Sequence, residues 1–276
     1  MLKRPRRLAL LVLIPLIVIA AVAWWVTLPV STGPAEGSSF PGIAATQPVV
    51  PSTLRIATFN IDGGRGTDGV VDLERTARSL QRIDFVGLNE VHNDLFGSQQ
   101  NQAASLAAPL HTPGLFVPSE RRLGRETFGN AVFTRLPVKH WQRIVLPSGP
   151  FKAPRNYLLT DVDWHGVTVH FLTTHTDWKS GGAEQRQIVA DAFLNLPEPA
   201  VLMGDLNAPQ HDPLIERLLA SKGVEEAIDA ILGPEPGRVD WIFLRGLTAL
   251  DAGRVDIGAS DHPAYWAQVR LRSEIR

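Results

Sequence analysis

An α/β domain whose sheets carry helices on their outer faces is the fold class predicted for residues 53–276. Two observations predict it. Short apolar or alternating runs of strand length recur along the segment, and between some of them stand helical patterns with one apolar face. Length and composition agree. A chain of 276 residues, 44% hydrophobic and 20% charged, is globular, with material for one large domain or two small ones.

The first element in chain order lies outside that domain. Lys3, Arg4, Arg6 and Arg7 make residues 1–7 basic, and the 21 residues 8–28 that follow are uncharged and almost wholly apolar. A helix of that length crosses a hydrocarbon core of about 30 Å. No Lys or Arg follows until Arg55, so the positive-inside rule keeps the N-terminus in the cytoplasm and sends the remainder across the membrane. Trp24 and Trp25 suit the far interface. A cleaved signal peptide competes, because Ala21-Val22-Ala23 has the small-x-small form of a cleavage site, and the product would then be secreted. The apolar stretch is longer than a usual signal core, which favours an uncleaved single-pass anchor, and the basic flank speaks against a buried core helix. Residues 29–52 hold Pro29, Pro34, Pro41, Pro48 and Pro51 among Gly, Ser and Thr, the composition of a linker.

Within residues 53–276 the apolar runs at 54–61, 85–88, 131–133, 157–164, 167–173, 200–203, 239–244 and 265–271 read as strands. Ile188, Val189, Ala192, Phe193 and Leu196 share one helical face. Asp212-Pro213 opens a second helix that closes before Gly223, and Leu73, Ala77 and Leu80 suggest a third. This part carries 23 Lys+Arg against 27 Asp+Glu, a net of −4, which gives no general surface for polyanions. The absence of cysteine excludes disulfides, a thiolate nucleophile, a zinc-thiolate site and a lipidated cysteine.

Polar residues suited to metal or phosphate chemistry sit just beyond the ends of these runs, where sites are usually built. They fall in Phe59-Asn60-Ile61-Asp62-Gly63-Gly64, Leu88-Asn89-Glu90-Val91 and Thr173-Thr174-His175-Thr176-Asp177, then in Gly204-Asp205-Leu206-Asn207, Arg238-Val239-Asp240-Trp241 and Ser260-Asp261-His262-Pro263. Each alone is as readily a turn or a helix cap. In order and wording the six together resemble the endonuclease/exonuclease/phosphatase family, the deoxyribonuclease-like superfamily that also holds sphingomyelinases and inositol-phosphate phosphatases; the chain looks like a membrane-anchored member of bacterial type.

The resemblance implies a four-layer α/β/β/α sandwich of two mainly antiparallel sheets, a Mg²⁺ (or Mn²⁺) cofactor and hydrolysis of a phosphate ester by a metal-activated water. It implies Glu90 as principal metal ligand with Asn60 beside it. Asp62 is a supporting ligand or a plain turn residue, and Asp261 approaches the metal or forms an Asx turn before Pro263. Asp205 is implied to orient or deprotonate the water, Asn207 to bind a phosphate oxygen, and His262, held by Asp240, to act as base or phosphate ligand. His175 is implied to stabilise the phosphate or protonate the leaving group; abasic-site repair members usually have tyrosine there. Asn89 stands where many relatives have glutamine. Arg155 is placed toward the scissile phosphate and Asn130 near the site.

Weaker signals surround these. Arg121, Arg122 and Arg125 form a basic cluster expected in a loop, more often a solvated face than a clamp. Trp178 is a stacking candidate or a half-buried loop aromatic, and His92, His111, His140, His165, His170 and His211 match no motif. The substrate stays open among nucleic acid, a phospholipid headgroup and a small phosphodiester, as nuclease and sphingomyelinase-like readings both fit, and no protein partner is implied. A different class, a catalytically inactive anchored binding module of the same fold, is opposed by the complete set of site residues.

Overall fold

The computed structural model describes residues 4–26, 35–40, 50–93, 101–122, 125–148, 154–179 and 181–272. The strands are β1 (Glu36–Gly37), β2 (Leu54–Asn60), β3 (Phe85–His92), β4 (Gly114–Arg122), β5 (Arg125–Thr134), β6 (Val138–Leu146) and β7 (Arg155–Trp164). They continue with β8 (Val167–His175), β9 (Ala200–Asp205), β10 (Val224–Glu226), β11 (Asp240–Arg245), β12 (Leu247–Val255) and β13 (Ala264–Leu271). The helices are α1 (Arg4–Val26), α2 (Leu73–Arg78), α3 (Gln102–Leu110), α4 (Gly182–Asn195), α5 (Pro213–Ala220) and α6 (Ala227–Leu232).

One sheet has the order β12-β13-β2-β3-β5-β4 and the other β1-β6-β7-β8-β9-β11-β10. Each holds a single parallel pair, β2 with β3 and β8 with β9; every other pairing is antiparallel. The two sheets pack face to face over Leu54, Ile56, Phe85, Phe171, Met203 and Ile242, with the Phe85 and Phe171 rings stacked at 3.7 Å across the gap. On one outer face Phe59 and Leu88 pack against Leu80 and Leu106 around α2 and α3. On the other, Leu172, Leu202 and Phe243 pack against Val189 and Phe193 of α4 and Leu218 of α5. Strands apolar on both faces, such as β9, arise because helix and sheet cover them from opposite sides.

The eight expected strands form, several of them longer than their apolar runs. Strands β1, β4, β6, β10 and β12 and helices α3 and α6 went unseen in the sequence. β6 and β12 mix charged and polar residues into the alternation, and β12 shifts register between Ala249 and Asp251, which breaks the period-two pattern. Arg121, Arg122 and Arg125 are not in a loop. They lie on the facing ends of β4 and β5, with Arg121 opposite Glu126 and Arg122 opposite Arg125. In the linker region Glu36–Gly37 pairs with β6, and the Pro51 carbonyl accepts the Trp164 indole N–H at 2.8 Å, so parts of it lie against the domain. α1 covers the apolar N-terminal segment, with Leu11, Ile17 and Trp24 exposed. Among the described residues no helix is long and apolar enough to cross a membrane.

The Asp212-Pro213 signal behaves as read: the Asp212 side chain accepts the Leu214 N–H at 2.9 Å and caps α5. Replacing Asp212 with Ala is expected to cost about 1 kcal/mol, read as a lower midpoint in urea; an unchanged midpoint would remove the cap's contribution.

Candidate active site

Parallel running of β2 with β3 and of β8 with β9 brings four strand C-termini to one end of the sandwich, where the antiparallel neighbours β5, β7, β11 and β13 begin. Register then sets the pairs: Asn60 is level with Asn89, and His175 and Asp240 flank Asp205 on either side. Gly204 permits the approach of β8 and β9 because, at φ +143°, a Cβ there would lie 1.8 Å from the Thr174 carbonyl oxygen. Glu90 sits in a register shift of β3 at φ +57°, a bulge that re-aims a side chain at a strand end.

These ends are knitted together by hydrogen bonds. Asn60 Nδ2 donates to Asp205 Oδ2 at 3.0 Å and to Glu90 Oε1 at 3.2 Å, while its Oδ1 accepts the Asp62 N–H. The Asn207 N–H donates to Asp205 Oδ1 at 2.8 Å, and its amide group donates to the Thr176 carbonyl. His262 Nδ1 lies 2.7 Å from Asp240 Oδ2, and the Ser260 hydroxyl accepts the His262 N–H while donating to Asp261. Arg155 Nη1 lies 3.2 Å from His175 Nδ1. All eleven residues singled out from the sequence therefore fall at one end of the fold, with Asn60, His175, Asp205 and Asp240 buried and Asp261 exposed.

Protonation follows from these surroundings. Burial, then the Arg155 and His262 charges, hold His175 well below its usual range, so the ring is neutral. A guanidinium can only donate, so His175 Nδ1 accepts from Arg155. Its Nε2 lies 3.1 Å from Asn207 Nδ2, 3.5 Å from Asp205 Oδ2 and 3.9 Å from Glu90 Oε1. His262 is the opposite case. Burial would lower it, yet its hydrogen bond to Asp240 and the charges of Asp240, Asp205 and Asp261 raise it to about 9, making it a cation at neutral pH. Asp205 is pushed up by burial and by the Asp240 carboxylate, against the pull of His262 and its hydrogen bonds.

Because the folded pKa of His262 lies above the unfolded value, its charged pairing stabilises the fold fully below pH 6.5, and that stability is lost as pH rises through about 9. With the ring partly exposed, the contribution is on the order of 1 kcal/mol. The difference in melting temperature between wild type and His262→Gln, in EDTA, is expected to shrink from pH 6 to pH 10; a constant difference would contradict this pairing.

Three residues to which the sequence gives no clear role organise the site. Asn89 donates to Asn130 Oδ1 and to the Thr174 carbonyl, and accepts the Asp205 N–H at 3.0 Å, stitching the two sheets directly beneath the carboxylates. Asn156 relays from Asn130 to the Pro118 carbonyl. The Arg238 side chain, 1% exposed, grips Glu226 at 3.0 and 2.9 Å and donates to the Asp240 carbonyl at 3.2 Å. Only the amide types of Asn89 and Asn156 hinted at this, since a polar side chain on an inward strand face needs partners.

A cation has two places to bind. Asp205, Asp240 and His262 offer ligand atoms within 4.8 Å of one another, and Asp240 Oδ1 is buried without a partner among the described residues. Asp205 Oδ2 and Asp240 Oδ2 are, however, already engaged with Asn60 and His262. The second is the acidic group of Glu90, Asp62 and Asp261. There Asp62 is raised by burial and then by the Asp261 and Glu90 charges, a crowding of hard oxygen donors that a divalent cation relieves. The carboxylates of this second set are less committed to protein donors, with Asn60 on Glu90 Oε1 and Ser260 on Asp261 Oδ1.

The profile of the Endonuclease/Exonuclease/phosphatase family matches residues 57–262. No curated protein matches the chain. Among solved structures, an endonuclease/exonuclease/phosphatase from Beutenbergia cavernae is similar at 26% identity and a TM-score of 0.67, covering 80% of this chain and 72% of that one. A mannosyl-6-phosphatase of Bacteroides thetaiotaomicron is similar at 16% identity and a TM-score of 0.62, over 79% of this chain and 100% of that one. The D. rerio TDP2 complexed with single strand DNA product is similar at 19% identity and a TM-score of 0.61, over 80% and 100%. The last two share the fold.

Proposed function

The chain belongs to the endonuclease/exonuclease/phosphatase family, and from that premise we propose that it is a divalent-metal-dependent phosphodiesterase or phosphatase held on the outer side of a membrane by its apolar N-terminal segment. The observation that carries the catalytic reading is Arg155. Its guanidinium is largely buried beside His175, and among the described residues it pairs with no carboxylate. A buried cation of that kind calls for an anionic ligand, and a tetrahedral phosphate suits its fork of donors.

On this reading Arg155 and Asn207 bind the non-bridging phosphate oxygens, and the neutral His175 between them holds both donors in place. Glu90 and Asn60, with Asp62 and Asp261, would hold Mg²⁺ or Mn²⁺, which would neutralise charge on the phosphate. Asp205, with its raised proton affinity, takes the proton of the attacking water as the new P–O bond forms and the ester P–O bond breaks, and the leaving oxygen departs as the alcohol with a proton from solvent. His262 begins as the cation rather than the base, and steadies the charge that gathers on the phosphoryl oxygens. Asp240 keeps that ring oriented and charged.

Extracytoplasmic placement draws support from the basic residues ahead of an uncharged segment and the absence of Lys or Arg until Arg55. The reaction is tested by assaying a chromogenic phosphodiester, a phosphomonoester, plasmid DNA and sphingomyelin with Mg²⁺ or EDTA. EDTA is expected to abolish turnover and Mg²⁺ or Mn²⁺ to restore it, and His262→Ala to lower kcat by roughly 100-fold or more. Activity indifferent to EDTA and to His262→Ala, or activity on none of the four, would sink the proposal.

A further inference from the structure

The end of the sandwich opposite the cleft carries a group of exposed basic side chains. Three of its carboxylates are in ion pairs, Lys139 with Asp163 at 2.8 Å, Arg245 with Glu198 at 3.3 Å and Arg272 with Glu225 at 3.1 Å. A fourth, Asp84, accepts the Arg55 N–H and is shared by the nearby charges of Arg55 and Arg135. Beyond these, Arg82, Lys222 and Arg270 are exposed and have no carboxylate partner among the described residues. Arg82 precedes β3, Arg135 follows β5 and Arg270 ends β13, so they stand along one edge of a single sheet, over about 15 Å at the usual strand spacing. This end is net positive while residues 53–276 as a whole are net −4.

The chain meets the domain at Ala35, level with Arg143 on β6, and runs antiparallel to that strand toward this end. Val50 and Pro51 lie against the β7–β8 turn, where Pro51 accepts from Trp164. Ala35, whose carbonyl accepts the Arg143 N–H, is nine residues beyond Val26, a reach of at most about 32 Å. A domain so tethered stays within contact distance of a bilayer surface.

We propose that this basic end docks on the anionic headgroup layer of the membrane to which the chain is tethered, so that the cleft faces away from the bilayer. The inference rests on the tethered reading above. Basic side chains at an anionic surface each strengthen attraction roughly five-fold (about 1 kcal/mol), and salt screens the effect. The cleft is then presented to phosphate esters in the surrounding medium rather than to lipids of the same leaflet.

The cysteine-free sequence makes the test direct. Full-length chain carrying Gln81→Cys at the basic end, or Ile257→Cys in the β12–β13 loop at the cleft end, is labelled with a donor dye. Each is reconstituted into nanodiscs with an acceptor lipid, made of phosphatidylcholine alone or mixed with phosphatidylglycerol. Transfer from position 81 is expected to exceed that from position 257 in anionic discs. It should fall in neutral discs, at high salt and in the Arg82→Glu/Lys222→Glu/Arg270→Glu variant, whose phosphoesterase activity stays unchanged. Equal transfer from both positions, or transfer unmoved by lipid charge and by the triple variant, overturns the docking surface. Flotation separates the two readings: retention on neutral vesicles at high salt supports the tether, and release there with salt-sensitive binding to anionic vesicles removes the tether and keeps the basic surface.

Discussion

Asp205→Asn is expected to lower kcat by roughly 1,000-fold or more with little change in KM. The substitution keeps the volume and the acceptor for the Asn207 N–H, so the turn after β9 holds its shape. It removes the one carboxylate that burial and Asp240 make most proton-loving in the site. With its one oxygen on the Asn207 N–H, the new amide turns its NH₂ toward the Asn60 Nδ2 donor, and that contact is lost. Since Asp205 meets the water rather than the ester, the loss belongs in kcat. A variant that keeps wild-type kcat, with full metal response, would show that another group accepts the proton. Asp240→Asn is the companion case, because it leaves Asp205 intact and deprives His262 of the charge that keeps it cationic.

The largest effect on stability is expected from Arg238→Met. Arg238 and Glu226 are each 1% exposed, bonded through two parallel contacts, and the guanidinium lies 4.2 Å over the Trp241 ring. Removing the cation leaves the Glu226 charge buried with only the Asp229 and Ile242 N–H donors. The cost is expected to be about 3–5 kcal/mol, and a melting temperature lower by roughly 10 °C. The double variant Arg238→Met/Glu226→Gln should recover part of the loss, because it removes the uncompensated charge as well. Calorimetry decides: a single variant as stable as wild type, or a double variant worse than the sum of the singles, would contradict the pair. Because Arg238 also donates to the Asp240 carbonyl, the single variant should lose activity beyond its loss of stability.

Chemistry-bearing residues were legible because each stands at the end of an apolar run, and an apolar run ends where a strand leaves the core. The largely buried strands β2, β3, β8, β9 and β11 are marked by apolar or alternating runs, and α5 by Asp212-Pro213. The edges were less legible. β6 and β12 mix polar and charged residues into their runs, and their register shifts erase the alternation on which reading depends. Asn89 illustrates the same limit inside the site: the sequence marked it as a variant amide beside a metal ligand, and only the packing of the second sheet revealed it as the stitch between Thr174, Asn130 and Asp205.

By itself the sequence determined which residues this protein brings to phosphate chemistry and that they occupy loops at strand ends, since both follow from residue type and local periodicity. Tertiary structure decided their charge states and partners. Asn60 and Asp205 bond across 145 residues of chain, and Arg155 reaches His175 from a neighbouring strand. A proton's affinity for a ring or carboxylate depends on burial and on charges a few ångströms away, and those are supplied by segments that no local pattern connects. Hence the neutral His175, the cationic His262 and the raised Asp205 emerge only when the two sheets close on one another.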